Sequence, residues 1–198
     1  MLTAIRCLKH GGALVEISRR HKVYIAITIA IAIALALRWG FYHNKWRTIE
    51  MRRDGYRISY PAHWFNTTHQ DYRMPSGRYV SLGLTNFPFV NTIMVDVYHV
   101  DPGRFPTIVN EEALVKEIIQ RDDGGEISRF QRSDIALKNS KLQAIVCECI
   151  FHGYYYSKIV AFSHDNHIYA IQLLTSKKQW GKGNEIFKKI LTSFEFLE

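Results

Sequence analysis

The stretch NEEALVKEIIQRDDGG, residues 110–125, interrupts a chain that otherwise reads as strands, and it decides the class of fold. Leu114, Val115, Ile118 and Ile119 fall on one stripe at helical spacing. Asn110 can accept from the first free N–H groups, Glu111 and Glu112 suit the positive end, and Gly124 marks the stop. One amphipathic helix is therefore expected in the middle of the chain.

Strands flank it on both sides. Upstream, RTIEMRR and YRISY meet at Asp54-Gly55 as a hairpin closed by Pro61, and YVSLGL (79–84) and TIMVDVYHV (92–100) follow around a loop with Asn86, Pro88 and Asn91. Downstream, EISRFQRSDIAL turns at Lys138-Asn139-Ser140 into KLQAIVCECIFH, then YYSKIVAFS, then IYAIQLLTS after the turn from His164 to His167. A last helix, GNEIFKKILTSF, puts Ile186, Phe187, Ile190 and Leu191 on one face, with Asn184 as its cap. This order predicts an α+β fold, an antiparallel β-sheet packed by helices.

A different problem lies before the domain, in YIAITIAIAIALALRWG, Tyr24 to Gly40. From Ile25 to Leu37 the alternation is one of size, Ile or Leu against Ala, with Thr28 the polar exception. A strand with both faces apolar at this length would expose a long aggregating edge. As a helix the run from Val23 covers about 22 Å, and Arg38 to Tyr42 extend it to roughly the 30 Å of a hydrocarbon core. Trp39, Phe41 and Tyr42 then fall where interfacial aromatics belong, and Arg38 can snorkel. The expected organisation is a basic tail (1–22), a transmembrane signal anchor (23–42, bounded by Val23, Leu37, Trp39 and Tyr42) and a folded domain (43–198). Two rivals are a cleaved signal peptide, because Ala34-Leu35-Ala36 offers a cleavage triplet, and a buried soluble helix, which the basic residues crowding both ends (Arg19, Arg20 and Lys22; Arg38, Lys45 and Arg47) disfavour.

The formal charge of +8 suggests nucleic acid until it is located. Residues 1–53 hold ten Lys+Arg against two Asp+Glu, whereas from Asp54 onward there are sixteen of each. The excess sits beside the apolar run, where basic side chains attract anionic lipid. A nucleic-acid partner is not expected for the domain. Basic residues flank the run on both sides, so the positive-inside rule alone does not orient it. Cys147 and Cys149, two apart in a strand, point to one face from neighbouring pleats and read as buried thiols.

GYRISYPAHW (55–64) resembles the opening of PsbP-like domains of the Mog1/PsbP fold, and EIFKKILTSFEF (185–196) resembles their close, as it does that of related bacterial domains of unknown function. The resemblance covers about residues 47–197. It implies a Mog1/PsbP-like α/β/α sandwich in a non-catalytic accessory or assembly factor. Some such proteins cap photosystem II on its lumenal side, and Mog1 binds a small GTPase. Many bacterial members are exported or tethered, so the resemblance favours a domain outside the cytosol.

Chemistry is sparse. The cluster His164, Asp165, Asn166, His167 sits where a turn needs Asp and Asn, without a third metal ligand at a recognised spacing. No nucleophile elbow, zinc-protease motif or P-loop is present. KKQWGKGN (177–184) interleaves lysines with Trp180 ahead of a helix, making Lys178, Trp180 and Lys182 the candidate ligand-binding residues; a solvated loop is the plainer account. Tyr154 and Tyr156 are expected on one sheet face and Tyr155 on the other. Asn66-Thr67-Thr68 is a formal glycosylation acceptor. No cofactor or metal is expected. The sequence thus points to a tethered, non-catalytic module that contacts the bilayer through 23–42 and a protein partner through its domain. The alternatives are a small-molecule or lipid carrier and a hydrolase whose site is assembled from separated residues.

Overall fold

The computed structural model describes residues 23–34, 45–67, 80–86, 93–103, 107–122 and 125–197. The chain divides into Met1–His43 and Asn44–Glu198. In the first unit, residues 23–34 form a helix, α1, so the alternating run is helical there and not a strand. Thr28 Oγ1 donates to the Tyr24 carbonyl at 2.9 Å, satisfying the run's polar side chain within the helix. Ile25, Ile27, Ile29, Ile31 and Ile33 are all about half exposed. No helix among the described residues is long and apolar enough to cross a membrane. The proposed span continues to Leu37, Trp39 and Tyr42, which lie outside the described residues, as does Cys7.

The second unit holds ten strands and two helices among its described residues. β1 (Trp46–Met51) and β2 (Tyr56–Pro61) form the expected hairpin, joined through a 3-10 turn at Arg52–Asp54 and a left-handed Gly55 with φ 73°. Pro61 is the last residue of β2, paired with Trp46 at the sheet end where its missing N–H is tolerated. A short strand β10 (Glu195–Phe196) completes this three-stranded sheet on the other side of β2.

The main sheet has seven strands in the order β3-β4-β5-β9-β8-β7-β6. These are β3 (Phe65–Asn66), β4 (Val80–Thr85), β5 (Ile93–Val100), β6 (Glu126–Ala136), β7 (Lys141–Phe151), β8 (Tyr155–His164) and β9 (His167–Ser176). Every neighbouring pair is antiparallel.

Both faces of the central strands are covered, which explains why their sequences are apolar nearly throughout. On one face Ile145, Cys147 and Cys149 of β7, Ile159 and Ala161 of β8, and Ile168 and Ala170 of β9 pack under Leu114, Val115, Ile118 and Ile119 of α2 (Glu111–Arg121). On the other, Val146, Val160, Phe162, Ile171 and Leu173 pack against Phe187 and Ile190 of α3 (Trp180–Ser193), together with Tyr56, Ile58 and Phe194. The sandwich therefore differs from the expected one in its second outer layer, which is a helix beside a small sheet.

Asn110 caps α2, accepting from Ala113 N at 2.9 Å. The helix ends at Arg121, and Gly124 lies outside the described residues. Cys147 and Cys149 are buried free thiols on one face. α3 departs from expectation: it begins at Trp180, not at Asn184, so Asn184 is not a cap. Within its first turns Gly183 is buried close against β9, where a Cβ would stand 3.3 Å from Thr175 Cγ2 and 3.5 Å from Leu173 Cδ1.

Candidate binding surface

Two stretches that sequence treats separately meet at one end of the main sheet. Tyr155 stands opposite Ser176 at the end of the β8–β9 ladder, so the chain leaves β9 beside the β7–β8 turn. That turn places His152 and Gly153 at φ 50° and 74°, and Tyr154 N donates back to the Phe151 carbonyl at 3.3 Å. Lys177 N then donates to the Tyr154 carbonyl at 3.1 Å, tying the turn to the start of Lys177–Gln179.

Exposed aromatic and basic side chains both occur at this end of the sheet. Tyr154 is 57 % exposed and Tyr155 43 %, their rings 4.7 Å apart. His152 lies 6.3 Å from Tyr154. Tyr156 turns to the α3 side and packs on Trp180, centroids 5.6 Å apart. Tyr154 therefore belongs to the turn and not to the strand, and it does not share the fully packed environment that sheet packing would give all three tyrosines. Lys177, Lys178 and Lys182 are exposed, and no acidic residue lies in the first turn of α3. Of the candidate ligand-binding residues, Lys178 and Lys182 stay in solvent while Trp180 is half-buried against Tyr156. Large rigid aromatics beside cations supply contact area at low entropic cost and favour carboxylates.

At the opposite end of the sheet a polar chain appears that no sequence motif announced. His99 Nδ1 lies 3.2 Å from Asp54 Oδ1, and His99 Nε2 lies 3.1 Å from His167 Nδ1. Tyr169 donates to the Asp54 carbonyl at 3.1 Å, and its hydroxyl is pushed up to about 12, by burial first and then by Asp54 and Asp165. His164 stacks on Phe196 at 3.6 Å, while Asp165 and Asn166 take the two left-handed positions, φ 46° and 61°, that a tight hairpin demands. These contacts join the β1–β2 turn and β10 to the main sheet. Among the described residues, no group of three His, Cys, Asp or Glu side chains is arranged to hold a metal ion.

A second set of polar contacts is buried under α2. Tyr98 donates to Gln172 Oε1 at 2.7 Å, and Gln172 Nε2 donates to Asp122 Oδ2 at 2.8 Å and to Ser157 Oγ at 3.1 Å. The Cys149 thiol beside it is pushed up by its hydrogen bond with Cys147 and by burial, which makes it a poor nucleophile.

No family profile and no curated protein matches the chain by sequence. Its fold does match solved structures. Cyanobacterial PsbP (CyanoP) from Synechocystis sp. PCC 6803 superposes with a TM-score of 0.54 at 11 % identity, over 76 % of this chain and 92 % of that one. Two more distant likenesses are the Ran-binding protein Mog1p of Saccharomyces cerevisiae (TM-score 0.43, 8 % identity, 78 % and 96 % covered) and LpqN, involved in cell envelope biogenesis of Mycobacterium tuberculosis (0.39, 13 %, 78 % and 91 %). The chain has a PsbP-like fold of the Mog1/PsbP kind.

Proposed function

We propose that this protein is a non-catalytic accessory module, tethered to a membrane through residues 23–42, whose domain docks a protein partner on the extracytoplasmic side. The observation that carries the docking role is the exposure of Tyr154 and Tyr155 at the end of the sheet where Lys177 N meets the Tyr154 carbonyl and from which the exposed Lys178 and Lys182 follow along the chain. A partner that fits offers carboxylates to the lysines and an apolar side chain to the tyrosines. Support for tethering comes from the exposed isoleucines of α1 and from the confinement of the excess charge to residues 1–53. The non-catalytic reading draws on the engagement of Asp54, His99 and His167 with one another and on the burial of both strand cysteines.

Two measurements test it. The full chain should stay with membranes through an alkaline wash, and deletion of residues 23–42 should release it; recovery of the intact chain in the aqueous fraction would overturn the tether. Detergent extracts should yield a partner with the wild-type chain, and Tyr154→Ala with Lys178→Glu should lose it while keeping the melting temperature. Equal recovery by that variant would overturn the docking surface.

A further inference from the structure

The main sheet ends on β3, two residues long, at one side and on β6, eleven residues long, at the other. Among the described residues β6 pairs with β7 alone, so half of its N–H and C=O groups point away from the sheet. The ladder is irregular between Ile127 and Arg129, and beyond that point it runs unbroken from Arg129 opposite Glu148 to Ala136 opposite Lys141. A regular edge, unpaired among the described residues, therefore spans Phe130 to Ala136, and its midpoint is Ser133.

The faces of this edge follow from the register. Phe130 stands opposite Cys147 and Arg132 opposite Ile145, both in the core under α2, so Phe130, Arg132, Asp134 and Ala136 share that face. All four are exposed. Gln131, Ser133 and Ile135 point to the other side.

We infer that β6 is the site at which two copies of this chain pair, antiparallel, about a two-fold axis that passes midway between their two Ser133 residues. An axis normal to the sheet keeps the two faces matched only when a residue stands directly opposite its own copy. Centred at Ser133 it sets Arg132 opposite Asp134 of the second copy and Asp134 opposite its Arg132, so both pairs are of opposite charge. Phe130 then lies across from Ala136, small enough to admit the ring, and Gln131 across from Ile135. Moving the axis to the next residue on either side brings Arg132 against Arg132 or Asp134 against Asp134. Within its own copy Asp134 accepts from Gln143 through one oxygen, which leaves the other for the arginine. Charge pattern and ladder geometry thus select the same centre. The Tyr154 surface lies beyond the other end of the β6–β7 ladder, so pairing at Ser133 and partner docking are separate events.

The test uses the full chain in detergent, with Cys7→Ser so that an introduced thiol is the accessible one. Ser133→Cys should form a disulfide-linked dimer on mild oxidation several times faster than Thr192→Cys on the exposed side of α3. In sedimentation, Arg132→Asp or Asp134→Arg alone should weaken the dimer roughly tenfold, since each sets like charges opposite in both pairs. The double variant should restore it. A monomer at every concentration, equal cross-linking at 133 and 192, or a dimer indifferent to the charge swap, as association through α1 would give, overturns the inference.

Discussion

Arg57 grips Glu195 with both arms of its guanidinium, Nε to Oε2 at 2.6 Å and Nη2 to Oε1 at 2.7 Å, across 138 residues of sequence. Lys138 Nζ and Asn139 Nδ2 donate to the same carboxylate at 2.7 Å each, so β2, β10 and the β6–β7 turn converge on one anion. Hydrogen bonds from Arg57 first, and then Lys138, hold this carboxyl down at about 2. A carboxyl depressed on folding stabilises above its unfolded value and loses that contribution as pH falls through the folded one. Melting temperature should therefore drop between pH of about 4.5 and about 2 by more in the wild type than in Glu195→Gln. The variant should start lower at pH 7, and the two curves should converge near pH 2. Parallel curves in a circular-dichroism pH series would contradict the role given to Glu195.

The two asparagines that the sequence pattern offers as helix caps should behave differently. Asn110 accepts from Ala113 N, so Asn110→Ala should cost about 1 kcal/mol in urea unfolding. Asn184 lies inside α3, where alanine is the better helix former, so Asn184→Ala should cost nothing.

Both faces of the main sheet should be equally indispensable. Phe187 is 1 % exposed under α3 and Leu114 is fully buried under α2. Leu114→Ala should cost about 2–5 kcal/mol and Phe187→Ala about 3–5, each with an unchanged denaturant slope. A loss under 1 kcal/mol at either site would mean that helix is not packed as described.

The central strands and α2 were legible because they carry strong local patterns: a helical stripe from Leu114 to Ile119, a cap at Asn110, and apolar runs bounded by turns. Elements fixed by tertiary contact were not. Gly181 and Gly183 read as a loop, yet both lie in the first turns of α3, with Gly183 buried close against Thr175 and Leu173. β10 is two residues long and exists because Glu195 and Phe196 find β2. The chain from Asp54 through His99 to His167 draws on three distant segments and has no spacing to detect. Lys178, Trp180 and the three tyrosines were visible one stretch at a time. Their meeting depends on Tyr155 standing opposite Ser176, a register that only the folded sheet sets.

The docking role is tested most directly by a photo-reactive phenylalanine analogue placed at residue 154 of the full-length chain and irradiated in intact cells, with residue 120 on α2 as the control. A discrete adduct from position 154, absent from position 120 and lost when Lys178 and Lys182 are changed to Glu, is the predicted result. Adducts equal at the two positions, or insensitive to those lysines, would contradict a binding surface at this end of the sheet.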